Sequence, residues 1–291
     1  TTGAYRFDLF PGADTAIETT VTLFPRKQDV KFGLAPLTSM YFVGENDHRV
    51  TDDFRRELHD SDGLLLHSNT GEWIWRPLRN PAHPDVSSFL DKDIRGFGLL
   101  QRDRDFDHYQ DLDLAYELRP SYFVEPHGNW GEGQVDLVEL PTQDEAHDNI
   151  VASFVPKTAP AAGRAFGYRI TASLSFVHLS PNGRVVNTFH TAAAALGAPG
   201  PVPPGSRRFL IDFAGGDLAY YAKDPQLVEV VPTTSQGKIL RSFVVPNPHV
   251  NGFRAIIDVE LQPKQSTDLR AFLRAGTQTL TETWTYPWQA D

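Results

Sequence analysis

Cysteine is missing from this sequence altogether. That excludes a disulfide framework, thiolate zinc sites and a cysteine nucleophile. It leaves the compartment open, because exported proteins also do without cysteine. No apolar run approaches the ~20 residues of a membrane-spanning helix, and no signal-peptide pattern opens the chain. The start, Thr1-Thr2-Gly3-Ala4-Tyr5-Arg6-Phe7, has no initiator methionine and reads as a strand already under way. A processed or truncated piece of a longer precursor is therefore expected. Basic residues are in deficit, 27 Lys+Arg against 37 Asp+Glu, for a net charge of −10. Phosphate recognition needs a basic stripe, so nucleic acid is excluded as the main partner, and an anionic membrane surface is disfavoured on the same ground. A neutral polymer is not repelled. There is no Gly-x-Ser-x-Gly elbow, P-loop or dinucleotide fingerprint. The 10 histidines include no His-Glu-x-x-His and no close pair of metal-ligand spacing, so the expectation is no metal and no cofactor.

What is present is β-structure. The 291 residues suggest two domains, and 40% apolar residues suffice for packed cores. Residues 16–24 are rich in β-branched side chains. Residues 133–140 alternate with period two, Val135, Leu137 and Glu139 on one side, Asp136, Val138 and Leu140 on the other. Residues 209–213, 243–245 and 255–261 read as further strands, and Pro181-Asn182-Gly183 and Asn251-Gly252 as turns. With 22 Gly and 22 Pro there is little room for long helices. One short helix is expected at 266–274, capped by Ser266. Residues 156–163 read as a surface connection and 191–206, rich in Ala, Gly and Pro, as a long loop. The boundary falls near 180. Residues 1–180 form one β domain, and 181–291 a sandwich of seven or so strands, the size of an immunoglobulin-like module.

Four stretches offer chemistry, each with a plainer reading beside it. His59-Asp60-Ser61-Asp62-Gly63 sets an imidazole beside two carboxylates, and equally describes a turn with Gly63 at positive φ. Trp73 and Trp75 share one strand face and could stack on sugar rings or fill a core. The acidic run 103–113 fails as an EF-hand, with His108 at the sixth position and Leu114 at the twelfth, and reads as a solvated loop. Residues 142–150 place three carboxylates before an apolar strand, a setting for a carboxyl with raised pKa or simply for a loop cap.

Together, His59–Gly63, GEWIWRPLRNP (71–81), GFGLLQRDRDFD (96–107), LDLAYELRPSYFVEPHGNWGEG (112–133), VELPTQDEAHDNIV (138–151) and the closing Thr281–Tyr286 closely resemble the periplasmic glucan biosynthesis proteins G and D. The resemblance covers nearly the whole chain and is most specific through residue 155. It implies an all-β fold: a large sugar-binding β-sandwich of the galactose-mutarotase-like supersandwich type, lacking its N-terminal part here, then an immunoglobulin-like β-sandwich. It implies the periplasm and a part in making osmoregulated periplasmic glucans. Members of the D type resemble inverting endo-β-1,2-glucanases. Carried over by motif, Asp148 matches the general acid and Asp60 the general base, with Glu145 and Tyr116 near the relay or subsite. Trp73, Trp75, Trp130 and Arg119 are the candidate sugar contacts. The implied partner is a β-glucan polysaccharide, with room for a homodimer, whose partner loop covers the cleft, and for the glucan-synthesising membrane machinery. The alternative function is a non-catalytic glucan-binding or assembly factor for branching or substitution.

Overall fold

The computed structural model describes residues 1–27, 30–47, 52–176, 179–194 and 202–290. In chain order its strands are β1 (Thr2–Phe10), β2 (Thr15–Phe24), β3 (Leu34–Ser39), β4 (Tyr41–Val43), β5 (Leu58–His59), β6 (Gly63–His67), β7 (Trp73–Pro77), β8 (Asp85–Lys92), β9 (Gly96–Leu100), β10 (Ser121–His127), β11 (Glu132–Glu139), β12 (Ile150–Pro156), β13 (Arg164–Ser173), β14 (Arg184–Ala192), β15 (Ser206–Ala214), β16 (Val228–Thr234), β17 (Lys238–Asn247), β18 (Gly252–Glu260), β19 (Ser266–Ala275), β20 (Gln278–Thr279) and β21 (Thr283–Gln289). A single α-turn, α1, spans Phe106–Tyr109. The fold is thus all-β, built of sandwiched sheets, as the alternating segments require.

The chain divides into two compact units, Thr1–Trp73 with Leu78–Phe176, and Ile74–Pro77 with Val177–Asp291. In the first, strands run in the order β1-β2-β13-β10-β9-β6 in one sheet and β3-β12-β11-β8 in another, with β4 and β5 paired separately. Aromatic packing joins the two large sheets: Trp130 lies against Phe154 of β12 and against Phe166 and Tyr168 of β13. On β11, Val135, Leu137 and Glu139 are buried as their alternation predicts. The inward carboxylate of Glu139 is answered by the Arg79 backbone N–H at 2.7 Å and by the Arg79 guanidinium at 3.3 Å.

In the second unit, β14-β15-β18-β17 form one sheet, while β21 and β19 lead to β16 in another. Residues 74–75 add to this second sheet in parallel register with Thr283 and Trp284. Phe209 of β15 packs on Trp284, Tyr286 and Trp288 of β21, which binds the two sheets face to face. Burying such a ring contributes roughly 1.5–3 kcal/mol.

The expected helix at 266–274 is strand β19. Thr267, Leu269, Ala271 and Leu273 are buried while Ser266, Asp268 and Arg270 face out. Leu269, Phe272 and Leu273 also fit helical spacing, but pairing on both edges with β16 and β21 satisfies the backbone and decides the outcome. Within the predicted 191–206 loop, residues 195–201 lie outside the described residues; β14 runs to Ala192 and β15 starts at Ser206.

Candidate functional site

Asp60 and Asp148, far apart in sequence, are anchored on two adjacent residues of the first unit. The Asp60 N–H donates to the Met40 carbonyl at 2.9 Å. Asn149, next to Asp148, uses its side-chain amide on Tyr41: Oδ1 accepts from the Tyr41 N–H at 2.8 Å and Nδ2 donates to the Tyr41 carbonyl at 3.0 Å. Nδ2 also donates to the Leu140 carbonyl at 2.9 Å, closing the loop on itself. The other end of that loop is held by Asn80, whose Oδ1 accepts from the Thr142 N–H at 2.9 Å while Nδ2 donates to the carbonyls of Thr142 and Phe42. Both asparagines are buried, so these bonds work in low dielectric. The result is a loop, 141–148, tied at both ends to the Tyr41–Val43 strand, with Asp148 exposed at the end that Asn149 anchors.

The motif at 59–63 is neither a simple turn nor a pair of equivalent acids. Gly63 does not take a positive φ; it begins β6. Asp62 is structural: its Oδ2 accepts the N–H groups of Arg102 and Asp103 at 3.0 and 2.9 Å. Ser61 is buried against Ser39, with the hydroxyls 2.6 Å apart. Asp60 alone turns to the site. Its carboxylate lies 3.4 Å from Arg119 Nε, and its buried Oδ1 has no aligned donor. Burial pushes the Asp60 carboxyl above the ordinary carboxylate range. Arg119 opposes that, the charge of Asp148 adds to it, and His59 opposes it.

Glu145 and Tyr116 complete the group. The Tyr116 hydroxyl donates to Glu145 Oε2 at 3.2 Å. Arg55 Nη1 lies 2.9 Å from the same oxygen and 2.8 Å from Asp111 Oδ2. Arg119 caps the Tyr116 ring at 5.4 Å. Burial, then the charges of Glu145 and Asp60, hold the Tyr116 proton firmly, well above the ordinary phenol range. Five of the residues expected from sequence, Asp60, Asp148, Glu145, Tyr116 and Arg119, therefore share one setting.

The three indoles do not. Trp73, Trp75 and Trp130 are 8%, 4% and 3% exposed. Trp73 stacks on His67 at 3.9 Å and meets Phe123, and Trp130 sits between the sheets with Nε1 donating to the Gly167 carbonyl at 3.2 Å. Every residue of β7 is buried, so Trp73 and Trp75 offer no open face to a sugar. Their apolar area is consumed by the core, the plainer of the two readings.

Residues that the sequence did not single out shape the site from below: Arg55, Glu57, Asn80, Gln101 and Asn149. Only Glu57 carried a signal, being two positions from His59 on the same strand face. Glu57, Asp103 and His108 bring ligand-type atoms within 4.8 Å of one another. These groups are engaged with each other and with His59: His108 Nδ1 is 2.5 Å from Asp103 Oδ2, and Glu57 Oε2 is 2.9 Å from His59 Nε2. Of the acidic run 103–113, Asp105 caps the turn α1 through the Asp107 N–H, and Asp111 accepts the N–H groups of Asp113 and Leu114.

Residues 1–288 match the family described as periplasmic glucan biosynthesis protein, MdoG. The chain is 46% identical to the probable glucans biosynthesis protein D of Shewanella oneidensis over 292 residues, 99% of this chain and 53% of that protein. It is 46% identical to glucans biosynthesis protein D of Stenotrophomonas maltophilia over 293 residues, 98% of this chain and 53% of the relative. The protein of that name from Xanthomonas axonopodis is 45% identical over 296 residues, 98% of this chain and 54% of the relative. The chain thus spans about half the length of the curated relatives it matches. It belongs to the periplasmic glucan biosynthesis protein family, MdoG, and its compartment is the periplasm.

Proposed function

We propose that this protein serves periplasmic glucan biosynthesis as an inverting endo-β-1,2-glucanase that cuts the linear glucan backbone. The observation that carries the reading is the grouping of Asp60 with Arg119, Tyr116 and Glu145, with Asp60 and the neighbour of Asp148 anchored on the adjacent residues Met40 and Tyr41. Inversion needs one carboxyl to protonate the leaving oxygen and another to activate water on the opposite ring face. Asp148, exposed at the anchored end of a tethered loop, is the acid. Asp60 is the base, with Tyr116 and Glu145 lining the way a proton takes from water. Burial raises the proton affinity of the Asp60 carboxyl, and Arg119 opposes that. Cleavage requires the acid to carry its proton and the base to be free of one. Arg119, close to both Asp60 and the Tyr116 ring, is placed to bond sugar hydroxyls.

The test is incubation of the full-length protein with linear β-1,2-glucan, following product size and anomeric configuration by NMR. Asp148→Asn should abolish cleavage with the fold intact; unchanged cleavage removes the proposed acid. One observation favours a second reading, a glucan-binding assembly factor without hydrolysis: burial raises the carboxyl of the proposed base above the ordinary carboxylate range, which works against its accepting a proton from water. That reading expects glucan to bind, with affinity lost in Arg119→Ala, and no new reducing ends over long incubation.

A further inference from the structure

Beneath Asp60 lies a buried polar group that the proposed reaction does not use. His59, 1% exposed, is clamped on every side. Tyr41 stacks on its ring at 5.3 Å and Tyr109 meets its edge at 5.3 Å. Nδ1 is 2.8 Å from Gln101 Oε1, and Nε2 is 2.9 Å from Glu57 Oε2.

The proton positions follow from Gln101. Its Nε2 lies 3.0 Å from the His59 carbonyl, 3.2 Å from the Tyr116 carbonyl and 2.9 Å from the Tyr109 hydroxyl. Two carbonyl oxygens can only accept, so the amide NH2 must face them. The amide oxygen then faces His59 Nδ1, which must carry a proton. Nε2 faces a buried carboxylate, which demands a second proton on that side. Burial works to strip this charge, but the bond and charge of Glu57, with the charge of Asp62, outweigh it and raise the His59 pKa. The imidazole precedes Asp60 in the chain, and the same glutamine grips the Tyr116 carbonyl.

We propose that His59 is held as a buried imidazolium by Glu57 and Gln101, and that it is a positioning residue that keeps Asp60 aimed and favours its ionised form. The role in catalysis rests on the hydrolase reading; the protonation state does not. The charged and titratable groups around the ring are Glu57, Asp62, Tyr41 and Tyr109, and those around Asp60 are Arg119, Asp148, Tyr116 and His59 itself.

Two measurements on the full-length protein separate these claims. Long-range proton–nitrogen NMR of the histidine side chains at pH 7 should find both ring nitrogens of His59 protonated, and Glu57→Gln should convert the ring to the neutral Nδ1–H form. A neutral ring in the wild type overturns the inference, whatever the protein does to glucan. In the glucan assay, Glu57→Gln and His59→Gln should lower kcat roughly 10–100-fold with KM within about twofold. They should also shift the acid limb of kcat/KM to higher pH, as Asp60 loses a neighbouring cation, and Glu57→Asp should restore part of the rate. A fall in kcat with the acid limb unmoved overturns the positioning role. No cleavage by the wild type sinks the hydrolase reading and with it the catalytic role, while the NMR result still decides the imidazolium.

Discussion

Two aspartates, one in each unit, have opposite fates. Asp212 on β15 is fully enclosed and fully answered. Arg254 donates to both of its oxygens at 2.7 Å, Asn187 donates at 3.0 Å and Asn247 at 2.9 Å. Burial alone would raise its pKa, but these donors together hold it below the ordinary range. Asp60 has one guanidinium at 3.4 Å, a like charge nearby and an oxygen with no aligned donor, and its pKa is raised. A carboxylate saturated by its own protein has nothing left for a ligand, whereas one left short of donors in reach of solvent is available for chemistry.

The contrast breaks most visibly in activity. Asp60→Asn and Asp148→Asn should each cost roughly 10³-fold in glucan cleavage, about 4 kcal/mol in the barrier. Neither should lower the unfolding midpoint, because Asn removes a strained charge at 60 and an exposed one at 148. Residual cleavage above a tenth of wild type would erase the distinction.

Asp212→Ala should do the reverse. It strands a guanidinium and two amides, costing about 3–5 kcal/mol of stability by denaturant titration. The two aspartates also carry opposite pH signs. The Asp212 contribution is present above the ordinary carboxylate pKa and lost as pH falls through its lowered folded value. The Asp60 contribution is present below the ordinary value and lost as pH rises through its raised folded value. Denaturation midpoints followed from pH 3 to 7 should therefore diverge from wild type towards pH 7 in opposite directions, upward for Asp60→Asn and downward for Asp212→Ala.

Asn149→Ala leaves the Tyr41 N–H and two carbonyls without their partner, at about 2 kcal/mol, and frees Asp148 from its anchor. Cleavage should fall while glucan still binds; an unchanged rate would mean the loop needs no tether. The smallest effect is expected at the indoles. Trp130→Phe should cost about 1–2 kcal/mol of stability and leave KM within twofold, since that ring lies between sheets.

These particulars mark what the sequence could disclose. Family pattern pointed to Asp60, Asp148, Glu145, Tyr116 and Arg119, whereas chemical type alone fitted a turn at 59–63 and a loop cap at 142–150 as well. Their meeting was invisible, since it depends on Met40 and Tyr41, residues of unremarkable type whose backbone carries the joint. The tryptophans misled because an indole suits a core as well as a sugar, and only the sheet on each side of β7 decides. Residues 266–274 misled because their apolar spacing fits both periods until strand partners are known. Asn80 and Asn149 gave no warning, as a polar residue at a strand end reads as a turn.

Because two adjacent residues, Met40 and Tyr41, hold both aspartates, this short piece of backbone works as a caliper. Drift elsewhere in the scaffold carries the two jaws together and leaves their gap unchanged. On the glucanase reading, exchanging a single carboxylate for its amide would silence the cut and keep the grip, so a cutter and a holder of glucan would stand one substitution apart on the same frame.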